Sequence, residues 1–405
     1  MPHTDMSDQH VRWQSILEYI DAYWSRLVRH NPSDSGTLIG LPNPYLVPSD
    51  GAMFQEMYYW DSYFMALGLR GTKLESMIPG MAENLRELMK RFSVIPNGSR
   101  FYFTSRSQPP FFTALIWEAY RVKQERSDAD LHAWLSEMLL AAELEHQTVW
   151  MGAAQPHDRL HQSGLSRYFD INYLDILASC ESGWDHSTRC DERWLEHLPV
   201  DLNSILYACE LDMMRMAQTL GDPHRAAAWQ AKAEARAEIV RTMLWDDSSG
   251  FFLDYDFKLQ QLNPLASLAG FYPLWAGIAT PQQAEQMVTE GLPKFLHSGG
   301  LVTTLTAQAG RQWAFPNGWA PLHWLVDAGL ERYGYASEAR VLRVAWLETV
   351  ANEFERTGAL WEKYNVTAAR DHAVEEGVYG QVSGFGWTNA VFKDFAGRTI
   401  YTDSG

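Results

Sequence analysis

Residues 201–220, DLNSILYACELDMMRMAQTL, place Leu202, Ile205, Cys209, Met213, Met216 and Leu220 at alternating steps of three and four. That spacing draws one apolar stripe down an α-helix. Asp201 is the natural N-cap and Gly221 the natural terminator. Asp222-Pro223 opens the next helix, with proline at the first helical position, where its missing N–H costs nothing. Thr280-Pro281 repeats the device, and Gln283 supplies the reciprocal side chain of a capping box. The same periodicity runs through approximately 11–29, 80–92, 112–125, 130–149, 224–244, 321–332 and 337–356, while strand-like alternation is scarce. About a dozen helices in antiparallel-looking pairs predict an all-α chain, an (α/α)6 toroid. Inner and outer helices alternate in such a ring, and one end carries the functional loops.

With 46% hydrophobic residues among 405, the chain can bury a large core without disulfides or metals. No Gly/Ser/Pro-rich linker interrupts it, so a single domain over 1–405 is expected. A net charge of −17, from 50 acidic against 33 basic residues, repels phosphate backbones and anionic membranes, which excludes nucleic acid and membrane as expected partners. The start, MPHTDMSDQHVRWQ, lacks a basic segment followed by an apolar one, and no stretch approaches bilayer-spanning length; a cytoplasmic protein is expected. Cys180, Cys190 and Cys209 are odd in number, lack metal-type spacing and read as reduced thiols, with Cys209 in the core.

Four loop stretches share a chemistry: FQEMYYWDSYF (54–64), IPNGSRFYFTSRSQPP (95–110), ESGWDHSTR (181–189) and QWAFPNGWAPLHW (312–324). Each pairs Trp or Tyr with a compact Asp, Asn, Arg or Gln. Sugars ask for that combination, because the C–H face of a pyranose stacks on an aromatic ring while its hydroxyls need planar donors and acceptors. Singly, each motif has a plainer reading: a Trp-Asp pair as a buried ring beside a helix cap, Asn97-Gly98 and Asn317-Gly318 as ordinary turns, Arg106 as a salt-bridge partner. A fifth stretch, WEKYNV (361–366), sets Glu362 beside Lys363, by itself a solvated charged pair. Five together are harder to read that way and point to a site for a sugar.

GAMFQEMYYWDSYF, IPNGSRFYFTSRSQPP, ESGWDHSTR followed by VDLNSILY, QWAFPNGWAPL, EKYNV and GFGWTN occur in the order seen in the trehalases of glycoside hydrolase family 37, which this sequence resembles from approximately residue 45 to 395. A more distant likeness is to the α-glycosyl-glycerate hydrolases of family 63. The resemblance implies the (α/α)6 fold, hydrolysis with inversion, and no metal or organic cofactor. It places the general acid on Asp185 and the general base on Glu362. It also implies a substrate-binding set of Phe54, Tyr58, Trp60, Asp61, Asn97, Arg106, Gln108, Gly183, Trp184, Gln312, Trp313 and Trp387. Inversion needs one protonated carboxyl for the leaving oxygen and one carboxylate to activate water on the opposite face, roughly 6.5–9.5 Å apart. Burial beside Trp184 is expected to keep Asp185 protonated, and Lys363 to keep Glu362 ionised.

The departures concern the leaving group. Met53 stands where trehalases carry arginine, Ala314 where they carry aspartate, and Val378 at an acidic position of the glycine-rich lid, while the Arg-Pro-Glu-Ser segment before ESGWD is missing. Losing polar groups relaxes discrimination for a second sugar. Glucosylglycerol is therefore the first-ranked substrate, with Met53, Val378 and Tyr379, and also Tyr168 and His372, shaping the aglycone side. Trehalose ranks second. A glycosylglycerate ranks third, its carboxylate calling on Arg167, Arg189 or Arg370. Outside this class stand a sugar epimerase using His157, His161, His186, His323 or His372 and a catalytically silent carbohydrate-binding protein. The segment 366–384 reads either as a lid or as a plain connecting loop.

Overall fold

The computed structural model describes residues 6–152, 158–308, 310–367 and 379–403. Its helices are α1 (Met6–Leu27), α2 (Tyr59–Leu69), α3 (Ile78–Phe92), α4 (Phe112–Glu125), α5 (Leu131–Glu145), α6 (Asp175–Glu181), α7 (Val200–Thr219), α8 (Pro223–Met243), α9 (Tyr272–Ala276), α10 (Pro281–Gln286), α11 (Leu292–Phe295), α12 (Ala320–Arg332), α13 (Ala336–Thr357) and α14 (Gly386–Asp403). Helices α2, α4, α7, α9, α12 and α14 pack each on the next, and α14 closes back on α2. Around this ring lie α1 against α13 and α14, α3 against α4, α5 against α4 and α7, α8 along α7, and α13 against α12 and α14. Helices α10 and α11, joined by a π turn over Met287–Gly291, fill the sixth outer place along the chain. The inner and outer helices thus alternate in sequence, as a toroid requires.

Local chemistry explains most of the boundaries. Asp222 accepts a hydrogen bond from Arg225 N at the start of α8, and Thr280 and Gln283 form the reciprocal capping box of α10. Gly221 follows α7 at φ +77°, a conformation glycine adopts without strain. Asp201, expected as the cap of α7, instead lies inside its first turn behind the N-cap Pro199, and its carboxylate binds Arg189. The periodic run 130–149 is not one α-helix: after α5 it widens into a π turn over His146–Trp150.

Inner helices differ physically from outer ones. All eleven residues of α2 are buried, so it has no polar face and no stripe to betray it in the sequence. Strands are two or three residues long, and the pair that matters joins β1 (Asn317–Trp319) to β2 (Lys363–Asn365) in antiparallel register, Gly318 opposite Tyr364. No described helix is long and apolar enough to cross a membrane.

Candidate active site

The turn in QWAFPNGW is held by its own first residue. Asn317 Nδ2 and Trp319 Nε1 both donate to the backbone carbonyl of Gln312, at 3.0 and 3.2 Å. Trp313 therefore lies flat on Trp319, 3.7 Å apart and 2° from parallel, and Trp184 stacks on Trp313 at 5.6 Å. Trp387, near the start of α14, meets Trp60 and Trp319 edge-on. The β1–β2 pairing then fixes Glu362, the residue before β2, beside this indole stack, where its backbone carbonyl accepts from Trp387 Nε1 at 3.2 Å. Close approach demands glycine twice. A Cβ on Gly318 would lie 2.6 Å from Val366 Cγ1, and one on Gly183, at φ +72°, 2.7 Å from Trp60 Cζ2.

The loops preceding α2, α4, α7, α12 and α14 surround a cavity at one end of the ring. Of the residues expected at the site, Phe54, Tyr58, Trp60, Asp61, Asn97, Arg106, Gln108, Gly183, Asp185, Trp313, Glu362, Tyr379 and Trp387 line it. Trp184 and Gln312 do not: both are fully buried behind the wall, Trp184 as a stacking partner and Gln312 bonded to Asp185. Met53, expected on the aglycone side, is 41% exposed and does not line the cavity. Val378, His372, Arg370 and His157, and most of the candidate lid 366–384, lie outside the described residues.

Phe103, Cys180 and Phe385 complete the lining and were missed. Their signal was present, since Phe103 and Phe385 sit within the aromatic motifs and Cys180 directly precedes ESGWD. Phe103 carries the Arg106 guanidinium over its ring at 5.2 Å.

Several other sequence expectations fail on geometry. Arg189 is fully buried between Asp201 and Asp254, Arg167 is tied to backbone carbonyls of Asp158 and Leu195, and Tyr168 bonds Asp201 at 3.2 Å. None of the three lines the cavity, so none is placed to meet a glycerate carboxylate or aglycone there. The epimerase reading needs histidine in the pocket, yet His161, His186 and His323 do not line it. His323 is buried with Nε2 accepting from Leu301 N and Nδ1 at Trp319 O, and burial pushes its pKa down to about 3, so it stays neutral. Glu181 of ESGWD is a brace: it accepts from Ser107 N, Phe169 N and Arg159, tying that loop to the RSQ loop.

The cavity holds three carboxyls, Asp61, Asp185 and Glu362, all buried or nearly so. Burial pushes Asp185 up to about 6, against the pull of Lys363 and of the Gln312 donor. Burial pushes Asp61 up to about 8, reinforced by the charges of Glu362 and Asp185. Asp61 therefore favours its protonated form at neutral pH and can donate as well as accept. Burial also raises Glu362, opposed by Lys363 Nζ at 2.8 Å from Oε2 and by the Tyr379 hydroxyl, which donates to Oε1 at 2.8 Å. Lys363 lowers Glu362 as expected but does not by itself offset burial.

Asp185 Oδ2, Gln312 Nε2, Tyr379 OH and Glu362 Oε1 form a path over contacts of 3.1, 3.3 and 2.8 Å, which caps the separation of the two carboxyls at about 9 Å, inside the upper limit of ~9.5 Å for an inverting pair.

Comparison with known proteins agrees with this geometry. The trehalase family model matches residues 3–175 and 171–398. A periplasmic trehalase of Escherichia coli is 33% identical, over 93% of this chain and 73% of that one. The neutral trehalase of Saccharomyces cerevisiae superposes with a TM-score of 0.78 at 30% identity, covering 95% of this chain and 80% of that one. A family 63 mannosylglycerate hydrolase of Thermus thermophilus, at 18% identity and a TM-score of 0.68 over 93% of this chain and 99% of that one, shares the fold. With its closed (α/α)6 ring and a carboxyl-lined aromatic cavity at one end, the chain belongs to the trehalase family, glycoside hydrolase family 37, and is a glycoside hydrolase.

Proposed function

We propose that the protein hydrolyses the α-glucosidic bond of a small glucoside with inversion, and that trehalose is its first substrate. The observation that carries the reaction type is the placement of Asp185 and Glu362 in one cavity, joined by a short hydrogen-bonded path, one tending to hold a proton and the other bonded at both oxygens by donors. In this reading Asp185 gives its proton to the glycosidic oxygen as the bond to the anomeric carbon breaks. Glu362 takes a proton from the water that attacks the opposite face, so the new C1–O bond forms with the other configuration. The stacked indoles of Trp313 and Trp319 and the edge of Trp387 exclude bulk water. Among the described residues Arg106 Nε has no hydrogen-bond partner, and Arg106 offers its fork to sugar hydroxyls.

The ranking of substrates changes from the sequence reading. Trehalose moves ahead of glucosylglycerol because the relatives at 33% and 30% identity are named trehalases and match nearly the whole chain. Glucosylglycerol remains the second reading, favoured by the ring side chains of Phe54, Phe103 and Phe385 in the lining, which offer few partners to a second sugar's hydroxyls. A glycosylglycerate ranks below both, since Arg106 is the one arginine among the described lining residues. Free glucose released from trehalose, glucosylglycerol and glucosylglycerate, compared as kcat/KM, tests the proposal. A higher value on trehalose supports it; a higher value on glucosylglycerol reinstates the other order, and no release from any of them overturns the activity.

A further inference from the structure

Gln312 is fully buried directly behind Asp185, its backbone carbonyl pinned by Asn317 and Trp319. Its amide nitrogen carries two hydrogens, and both have acceptors: Asp185 Oδ2 at 3.1 Å and the Tyr379 hydroxyl oxygen at 3.3 Å. A hydroxyl that accepts from one side turns its own hydrogen elsewhere, and Tyr379 donates to Glu362 Oε1. The second carboxylate oxygen, Oε2, already accepts from Lys363.

We propose that Gln312 is the positioning residue that dictates where protons sit on both carboxyls. Its N–H at Asp185 Oδ2 leaves Oδ1 as the oxygen that carries the transferable proton. Its other N–H turns the Tyr379 hydrogen onto Glu362, which then accepts at both oxygens and stays ionised. This rests on the assignment of Asp185 and Glu362 to the reaction. Two buried carboxyls this close compete for protons unless their surroundings separate them. The titratable groups that bear on the pair are Asp61 on both, Cys180 on Asp185, Lys363 on both and Tyr379 on both. Among the described residues the Gln312–Tyr379 bridge alone hydrogen-bonds one carboxyl at each end.

The test is a pH profile of kcat/KM for wild type, Gln312→Met and Tyr379→Phe. Removing a donor from a carboxylate raises its pKa. Tyr379→Phe takes a donor from the base alone, so the acidic limb moves to higher pH by about one unit while the alkaline limb stays. Gln312→Met removes one of the donors to Asp185, leaving that carboxyl its own backbone N–H and Trp313, and frees the tyrosine hydrogen, so both limbs move up. In each variant kcat falls roughly 10- to 100-fold with little change in KM, the scale of one lost bond to a charged group. Carboxyl carbon-13 titration without substrate, with signals assigned by their loss in Asp185→Asn and Glu362→Gln, reads the same shifts independently of turnover. If Gln312→Met does not fold, the near-isosteric Gln312→Glu, which has no amide donor, takes its place with both limbs again expected to move up. Unmoved titrations in Tyr379→Phe overturn the proposal, as does lowered activity with both limbs in place, the result of a merely structural role. Shifted titrations in a protein whose Asp185→Asn and Glu362→Gln variants still hydrolyse substrate would leave the bridge intact and remove the pair from catalysis.

Discussion

Asp185 and Arg189 leave the same loop, and each ends in a cluster of buried charge. Around Arg189 the cluster is closed: the guanidinium makes two bonds to Asp201, at 2.6 and 2.8 Å, and two to Asp254, both at 2.7 Å. Asp254 also accepts from Val200 N, and although burial raises it, Arg189 and these donors hold it below the usual carboxylate range. Around Asp185, itself only partly buried, the cluster lies open to the cavity and no described arginine forks across its carboxyls. Lys363 bears on Asp185 and Glu362, and all three carboxyls of the cavity are pushed up. Burial thus does not decide what a carboxyl does; the ratio of donors to carboxyls does. A fully bonded cluster locks its protons out and holds the loop in place, whereas an under-bonded one retains protons it can give away.

The comparison breaks most visibly by removing charge from each cluster. Asp185→Asn and Glu362→Gln should each lower kcat by about 10²–10⁴-fold in a glucose-release assay, and in Asp185→Asn the melting temperature does not fall, because a crowded cluster loses a carboxyl while Glu362 still pairs Lys363. Arg189→Met should do the reverse in kind. It strands Asp201 and Asp254 without their cation and should cost about 3–5 kcal/mol in urea unfolding. Equal stability losses in both clusters would erase the distinction. Gly183→Ala places a methyl at positive φ against Trp60, with an expected loss of about 1–3 kcal/mol and a fall in kcat/KM as the indole wall is displaced.

The smallest effect sharpens the contrast through pH. The Asp61 pKa, about 8 when folded, lies above its ordinary 3.8, so its stabilising contribution is present in full below 3.8 and is lost as pH rises through 8. Asp61→Asn should therefore flatten the decline of melting temperature between about pH 4 and 9, by a few degrees at most, and gain on wild type toward the alkaline end. A parallel decline in both proteins would contradict the protonation assigned to Asp61.

What the sequence could show follows the same physics. Outer helices with one face toward solvent, such as α3 and α13, wrote their stripe into the chain. Helix α2 in the inner ring did not, because a helix packed on every side needs no polar face. The cavity lining was legible where an aromatic and a planar polar group are neighbours in sequence, as in Trp60-Asp61 and Trp184-Asp185. It was not legible where partners meet only in space: Gln312 read as a sugar contact because its tie to Asp185 crosses from one loop to another. Arg106 and Arg189 illustrate the limit. Both follow aromatic motifs, but one meets the cavity and the other two aspartates, and no local pattern separates them.

The central claim is an acid and a base acting on opposite faces of one anomeric carbon, and the stereochemistry of the first product reads it directly. Proton NMR of trehalose hydrolysis, recorded before mutarotation, should show equal amounts of β-glucose from the attacked ring and α-glucose from the leaving ring. Release of α-glucose alone would show retention and contradict the assignment of Asp185 and Glu362 as an inverting pair.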